Sequence, residues 1–376
     1  MSNLSTKKER LPAIEYIRGI SMLGVIGIHV GSQYLMNPSS NVHLVALFEI
    51  VTRFAVPIFF FISAFGLFYN LEPGKQFDYL YFLRRRFKTV LIPYIIWSLF
   101  YIIHDNCYYG YGVPSLDYLI KLLFFGLAKY HLYFLVILLW FYLLMPVWIK
   151  IVQRMTGKKL FLLLLLQIAF DYFSSYSEAL NNLTYSLPEE SLIRWFLLYR
   201  LNYLILHYVF IFVLGGFLAV HIEKFFTFMR QNKMIINFGF IVSLLILLAH
   251  YYVVIFLRHL PPEAAVNIAH QLSPAGIIYT ITASVFWFTI FSSYNFGSIL
   301  KSALSFCGRH SYFAYLFHPL LITYLSLLLQ STGRVMTASI AILFYFITVI
   351  ISLLIASTFR KLGNKHKLIN KLTIGA

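Results

Sequence analysis

Ten stretches of this chain are apolar and long enough to be bilayer crossings, and a bilayer leaves a polypeptide few choices. In hydrocarbon every backbone N–H and C=O must find its partner within the protein, so a crossing segment is a helix or part of a closed barrel. Continuous apolar runs without two-residue alternation select the helix. The stretches are residues 12–34, 45–69, 89–105, 132–150, 159–174, 200–221, 235–257, 274–294, 310–329 and 335–358. The third and fifth are short for a full crossing. The expected fold is an all-α transmembrane bundle, a single integral membrane domain over residues 1–376. Composition agrees, with only 11% of residues charged, against roughly a quarter in water-soluble domains.

The basic residues predict orientation. Lys7, Lys8 and Arg10 precede the first stretch, and Arg84, Arg85, Arg86 and Lys88 lie between the second and third. Lys150, Arg154, Lys158 and Lys159 lie between the fourth and fifth, and Lys224, Arg230 and Lys233 follow the sixth. Lys301 and Arg309 precede the ninth, and Arg360, Lys361, Lys365, Lys367 and Lys371 follow the tenth. Alternate loops thus hold most of the Lys and Arg, which predicts ten spans with both termini cytoplasmic. The net charge of +17 is this loop bias, and no nucleic-acid module accompanies it. Cys107 and Cys307 lack metal-ligand spacing and imply no disulfide framework. The segment after Arg10 is long and lacks a small-residue cleavage site, so it reads as an uncleaved first helix. The longest loops on the opposite side, 106–131 and 175–199, are candidates to shape an outer binding site.

The first helix carries the sharpest pattern. With Arg18 set at 0°, Glu15 falls near 60°, Ser21 near −60°, His29 near 20° and Ser32 near −40°, at about 100° per residue. Gly24, Gly27 and Gly31 fall on the opposite side, where they permit close helix packing. The polar stripe must face protein or a wet cavity, because lipid cannot satisfy it. His29 lies about 16 Å along the axis from Arg18, so one face carries a cation near one membrane surface and a titratable base near the other. The bland alternative is an edge anchor and an interface residue.

Other costly residues follow. Glu49 and Arg53 stand at i, i+4 and can pair, with Arg53 at a depth similar to His29. The cluster Arg84–Arg85–Arg86–Phe87–Lys88 suits either phosphates of an anionic donor or anionic lipid. His131, Asp171, Arg200, His207 and His250 fall toward the outer side and suggest a polar cavity there. His318 sits mid-span before Pro319, which predicts a kink and a freed carbonyl. No pair of His and carboxylate stands at ligand spacing within one helix, so no metal is expected. No P-loop, dinucleotide fingerprint or Gly-x-Ser-x-Gly is present.

These residues resemble the acyltransferase-3 family of integral membrane O-acyltransferases over nearly the whole chain. Arg18 and His29 match its R-x10-H motif. Val56–Phe65 resembles its second-helix block, Arg84–Tyr94 its basic entry to the third helix, His131–Leu135 its His-Leu-Trp-Phe-Leu, and Tyr315–Pro319 its penultimate-helix block. Glu15 stands where Asp is commoner and Ala64 where Gly is. The basic R-x-x-R is met as Arg85 and Lys88, and Lys lacks the bidentate fork.

The resemblance implies transfer of an acyl group, usually acetyl, from cytoplasmic acyl-coenzyme A to a hydroxyl of a cell-surface or secreted carbohydrate. Acyl-coenzyme A is then a co-substrate, with no tightly bound cofactor and no metal. The expected setting is a bacterial plasma membrane. Donor-binding residues would be Arg85, Arg86 and Lys88, with Arg18 holding phosphate or the channel end of the arm. His29 would act as general base or briefly carry the acyl group. Arg53, His131 or His318 would form the oxyanion or acceptor site. Two readings of other classes stand beside this one: an exporter or flippase of a polysaccharide or lipid-linked precursor, and a structural partner in a glycan-synthesis complex.

Overall fold

A computed structural model describes residues 10–35, 42–72, 74 and 76–374; Lys7 and Lys8 lie outside the described residues. Among these there are helices and no strand. In chain order they are α1 (Pro12–Leu35), α2 (Val42–Val51), α3 (Pro57–Tyr69), α4 (Tyr79–Arg86), α5 (Ile92–Tyr109), α6 (Leu116–Phe125), α7 (Tyr133–Leu143), α8 (Met145–Gln153), α9 (Gly157–Tyr176) and α10 (Glu178–Ser186). Then come α11 (Leu192–Leu198), α12 (Arg200–Tyr203), α13 (Val209–Val220), α14 (Ile222–Gln231), α15 (Lys233–Arg258), α16 (Pro262–Ile268), α17 (Pro274–Ser293), α18 (Ser298–Ser331), α19 (Ala338–Lys365) and α20 (Lys367–Thr373). Eight helical runs among the described residues are long and apolar enough to cross a membrane, or ten if two bent pairs each count as one span. The chain is a multi-pass membrane protein.

Several boundaries differ from the hydropathy reading, each for a local reason. The third span is not short: α4 and α5 run on as 31 residues, Tyr79–Tyr109. Hydropathy starts after the arginines, whereas the helix starts before them, with Asp78 accepting from the Tyr81 N–H as an N-cap. The junction is a π-helical turn at Phe87–Leu91, where the Ile92 N–H reaches back to the Phe87 carbonyl and Pro93 has no N–H to give the tighter bond. The fifth span, Gly157–Tyr176, has 20 residues. The ninth begins at Ser298, well before residue 310, and stays one helix through Pro319; the proline does not interrupt it. The fourth breaks between α7 and α8 by 67°, at Leu144 just ahead of Pro146. The sixth begins at Ile205 and turns by 95° after Val220. The turned helix, α14, buries Phe225 and Met229 and exposes Lys224 and Arg230, the pattern of a helix lying in a membrane interface.

The bundle is organised around α1. A Cβ at Gly24 would lie 2.8 Å from Ala55 and one at Gly27 2.5 Å from the Phe48 ring, so this small-residue face receives the second span, as its spacing predicts. Gly19 and Gly308 make the crossing of α1 with α18: a Cβ on Gly308 would lie 2.1 Å from the Glu15 carbonyl oxygen. The second span itself is not a continuous α-helix, because α2 and α3 meet at a 3-10 turn, Arg53–Ala55, ahead of Pro57.

Candidate active site

The close crossing of α1 and α18 aligns their two histidines. His29 Nδ1 lies 2.8 Å from His318 Nε2, with the rings parallel and their centroids 5.1 Å apart. His318 Nδ1 lies 3.2 Å from the Ala314 carbonyl oxygen, an acceptor only, so it is the nitrogen that carries the proton. His318 Nε2 is then a lone pair, and His29 Nδ1–H donates to it. The consequence is a His29 ring whose Nε2 is unprotonated and aimed away from its orienting partner. His29 is partly exposed, whereas His318 is fully buried.

His131 completes the cluster. Its ring sits 5.3 Å from that of His318 and 5.0 Å from that of Tyr315, both edge-on. It is buried, and both of its ring nitrogens lack a hydrogen-bond partner. A buried polar group without a partner is costly, so His131 holds two contacts open at this point. Its backbone carbonyl is taken by the Tyr315 hydroxyl, and Tyr101 donates to the Leu316 carbonyl at 2.7 Å, fixing α18 against the 128–133 segment. Tyr130 packs edge-on against His29 at 4.6 Å and is itself exposed.

On the other side of Tyr315 lies a pocket of about 400 Å³ lined by Arg10, Arg18, Arg86, Arg309 and Arg360. Arg18 belongs to a transmembrane helix yet is exposed, because it faces this pocket. Glu15 is the one acid in the lining; it pairs with Arg10 and stands 3.9 Å from Arg309. Arg86 is held over the Phe82 and Tyr142 rings at 5.3 and 5.2 Å. Deeper in, the wall turns to Phe59, Phe134, Leu138, Tyr312 and Tyr315. Arg309 and His318 are nine residues apart on one helix, about 14 Å. The pocket therefore joins a cationic part to an aromatic throat that reaches Tyr315, whose ring packs on His131 and His318. The basic residues come from the segment before α1 and from α1, α4, α18 and α19, which places those helix ends on one face of the bundle.

The structure sorts the sequence candidates. It brings His29, His131 and His318 together, and Arg18 and Arg86 together. It does not bring Arg85 or Lys88 into the arginine pocket: Arg85 lines an adjoining crevice with Glu72 and Asp78, which shares only Arg86 with that pocket, and Lys88 is exposed outside it. Arg53 is committed to Glu49 at 2.9 Å and to the Val266 carbonyl at 3.1 Å. The expected single outer cavity of polar residues does not form. Asp171 and His207 pair at 2.5 Å, fully buried, and Gln167 bonds Asp171 and the Leu206 carbonyl, each at 2.8 Å. That network clamps α9 to the start of α13. Arg200 is spent on the Ser174 and Leu197 carbonyls and Asn181. The 106–131 and 175–199 segments fold against each other as short helices, with Phe125 against Trp195, Phe196 and Tyr199. Sequence reasoning missed the pocket roles of Arg10, Arg309 and Arg360, which look like ordinary loop charge, and of Tyr312 and Tyr315.

The fold is that of a polytopic helical membrane protein with a histidine cluster beside an arginine-lined pocket. The profile of the acyltransferase-3 family, an acyltransferase domain, matches residues 11–357. The chain belongs to that family and is an acyltransferase. Relatives include a probable poly-beta-1,6-N-acetyl-D-glucosamine export protein of Staphylococcus aureus (strain Mu50 / ATCC 700699), 24% identical over 326 residues, covering 84% of this chain and 83% of that protein. A protein of the same name from Staphylococcus epidermidis is 24% identical over 323 residues, covering 84% and 82%. No solved structure matches the chain.

Proposed function

We propose that the protein transfers an acyl group, acetyl or another short acyl, from acyl-coenzyme A at its basic face to a hydroxyl of a cell-surface or secreted carbohydrate at the opposite face. The observation that carries this reading is the arginine pocket whose aromatic throat leads to Tyr315 and the His29–His318 pair. The donor head carries several phosphates, which suit Arg18, Arg86, Arg309 and Arg360. Its largely apolar thioester arm suits the aromatic wall of Phe59, Phe134, Tyr312 and Tyr315. Positive-inside bias puts this face in the cytoplasm of a bacterial plasma membrane.

In the transfer, the acceptor oxygen attacks the thioester carbonyl. The new C–O bond forms, the C–S bond breaks, and the acceptor proton passes to His29 Nε2. His318 fixes the His29 tautomer and steadies the charge that develops on it, as an orienting group does for a general base. The proton then leaves with the coenzyme A thiol. His131, with two open nitrogens, is placed to donate to the carbonyl oxygen as it becomes an oxyanion. An acyl group carried briefly on His29 Nε2 uses the same geometry in two steps. The relatives' name favours a second reading, glycan export. The experiment that separates them follows label from cytoplasmic acyl-coenzyme A to extracellular glycan. The wild type should transfer label, His29→Ala at matched expression should not, and Arg18→Ala should transfer it more slowly at limiting donor. Wild-type transfer by either variant overturns the assignment.

A further inference from the structure

A cleft of about 810 Å³ that the acyl-transfer reading leaves unused opens between α9, α15 and the start of α17. Its two ends differ in chemistry. Ile168 and Ile246, each well inside a membrane-spanning helix, line the apolar part together with Ile278 of the first turns of α17. At the end away from the arginine pocket the lining becomes Arg258, His250, Tyr176 and Glu178.

The cleft faces lipid. Only Gln167, Asp171 and Ser174 of α9 are buried, and α15 buries only Ile236, Ser243, Leu247, Tyr251 and Val254, while Ile241, Leu245, Ile246 and Val253 are exposed. At the polar end Arg258 is exposed at the last turn of α15, and His250 is half-buried, its Nδ1 enclosed without a hydrogen-bond partner. Tyr176, by contrast, is fixed: its hydroxyl donates to the Ile268 carbonyl at 2.6 Å and its ring stacks on His270. That leaves a rigid aromatic wall beside an exposed cation and a half-buried imidazole.

We infer that this cleft is a lateral binding site for a phosphate-headed membrane lipid, its acyl chain along Ile168, Ile246 and Ile278 and its phosphate at Arg258 and His250. A cation at the interfacial end of an apolar cleft matches an anionic head on an apolar chain. Glu178, at the same end, accepts from a hydroxyl on the headgroup beyond the phosphate. The inference does not depend on the acyl-transfer reading, since the cleft shares no residue with the arginine pocket.

The test uses the full-length protein in detergent micelles, with phosphatidylglycerol and with diacylglycerol of the same chains as probes. Native mass spectrometry counts retained lipid, and thermal unfolding is followed against lipid concentration. Phosphatidylglycerol should be retained and should raise the melting temperature, and diacylglycerol should do so far less. Arg258→Gln should weaken phosphatidylglycerol binding about tenfold, the scale of one charge-assisted hydrogen bond. Ile246→Trp, which fills the apolar floor without touching the headgroup, should reduce binding of both lipids. Equal binding of the two lipids by the wild type overturns the inference, as does undiminished phosphatidylglycerol binding by folded Arg258→Gln and Ile246→Trp.

Discussion

Gly308→Ala is the sharpest perturbation of the geometry that aligns the histidines. The added Cβ would lie 2.1 Å from the Glu15 carbonyl oxygen and 2.7 Å from its Cγ, where ordinary contact begins at 3.4 Å. The carbonyl belongs to helix backbone and cannot rotate away, so the axes of α1 and α18 must separate locally by about 1.3 Å, the difference between those two distances. Overpacking of this kind costs about 1–3 kcal/mol. His318 is ten residues further along α18, about 15 Å. Its contact with His29 is 2.8 Å, and a hydrogen bond weakens beyond about 3.2 Å. Transmission of about a third of the displacement is therefore enough to release the His29 tautomer. Misplacement on the ångström scale costs roughly a hundredfold in rate. The assay is acyl transfer from labelled acyl-coenzyme A in proteoliposomes, using folded protein isolated by gel filtration, with thermal unfolding alongside. Gly239→Ala is the control, because a Cβ there meets nothing within 4 Å. Wild-type turnover and stability in Gly308→Ala would refute the claim that this crossing sets the site.

The remaining predictions test separate parts of the site. His318→Ala should lower turnover by about 10²–10⁴-fold, the usual worth of a correctly held general base, with little change in KM for the donor. Arg18→Ala and Arg309→Ala should raise KM for acyl-coenzyme A, and added salt should raise it further by screening the exposed arginines, whereas Arg85→Ala and Lys88→Ala should leave it near wild type in the same titration. His207→Ala strands a fully buried carboxylate at Asp171, which should cost about 3–5 kcal/mol, measured as a lower unfolding temperature.

Hydropathy made the all-α, multi-span fold legible because each crossing must satisfy its own backbone. It misplaced helix ends wherever charge and helix overlap. The α4–α5 span and α18 both begin in basic sequence: Arg84, Arg85 and Arg86 lie within α4, and Lys301 and Arg309 within α18. A helix emerging from the bilayer continues into water, and hydropathy has no signal for that. The bend at Leu144 was equally hidden, since it sits inside an apolar run, whereas the turn after Val220 falls where the sixth apolar stretch ends. The glycine face of α1 was legible because three glycines at helical spacing have few uses other than close packing.

The site was legible where one helix carried its own pattern and illegible where several loops contribute one residue each. Arg18 and His29 share a helix, so spacing alone put them on one face. Arg10, Arg309 and Arg360 come from three segments and cannot be told from loop bias until the bundle closes around them. Lys88, by contrast, follows from spacing alone. Arg86, Thr89 and Val90 line the pocket at i, i+3 and i+4, one face of a helix, and Lys88, about 200° around from Arg86, falls on the other side and is exposed. The same donor titration separates the two: Arg86→Ala should raise KM for acyl-coenzyme A, whereas Lys88→Ala should leave it near wild type. Equal effects of Arg86→Ala and Lys88→Ala would refute the assignment of this helix face to the donor.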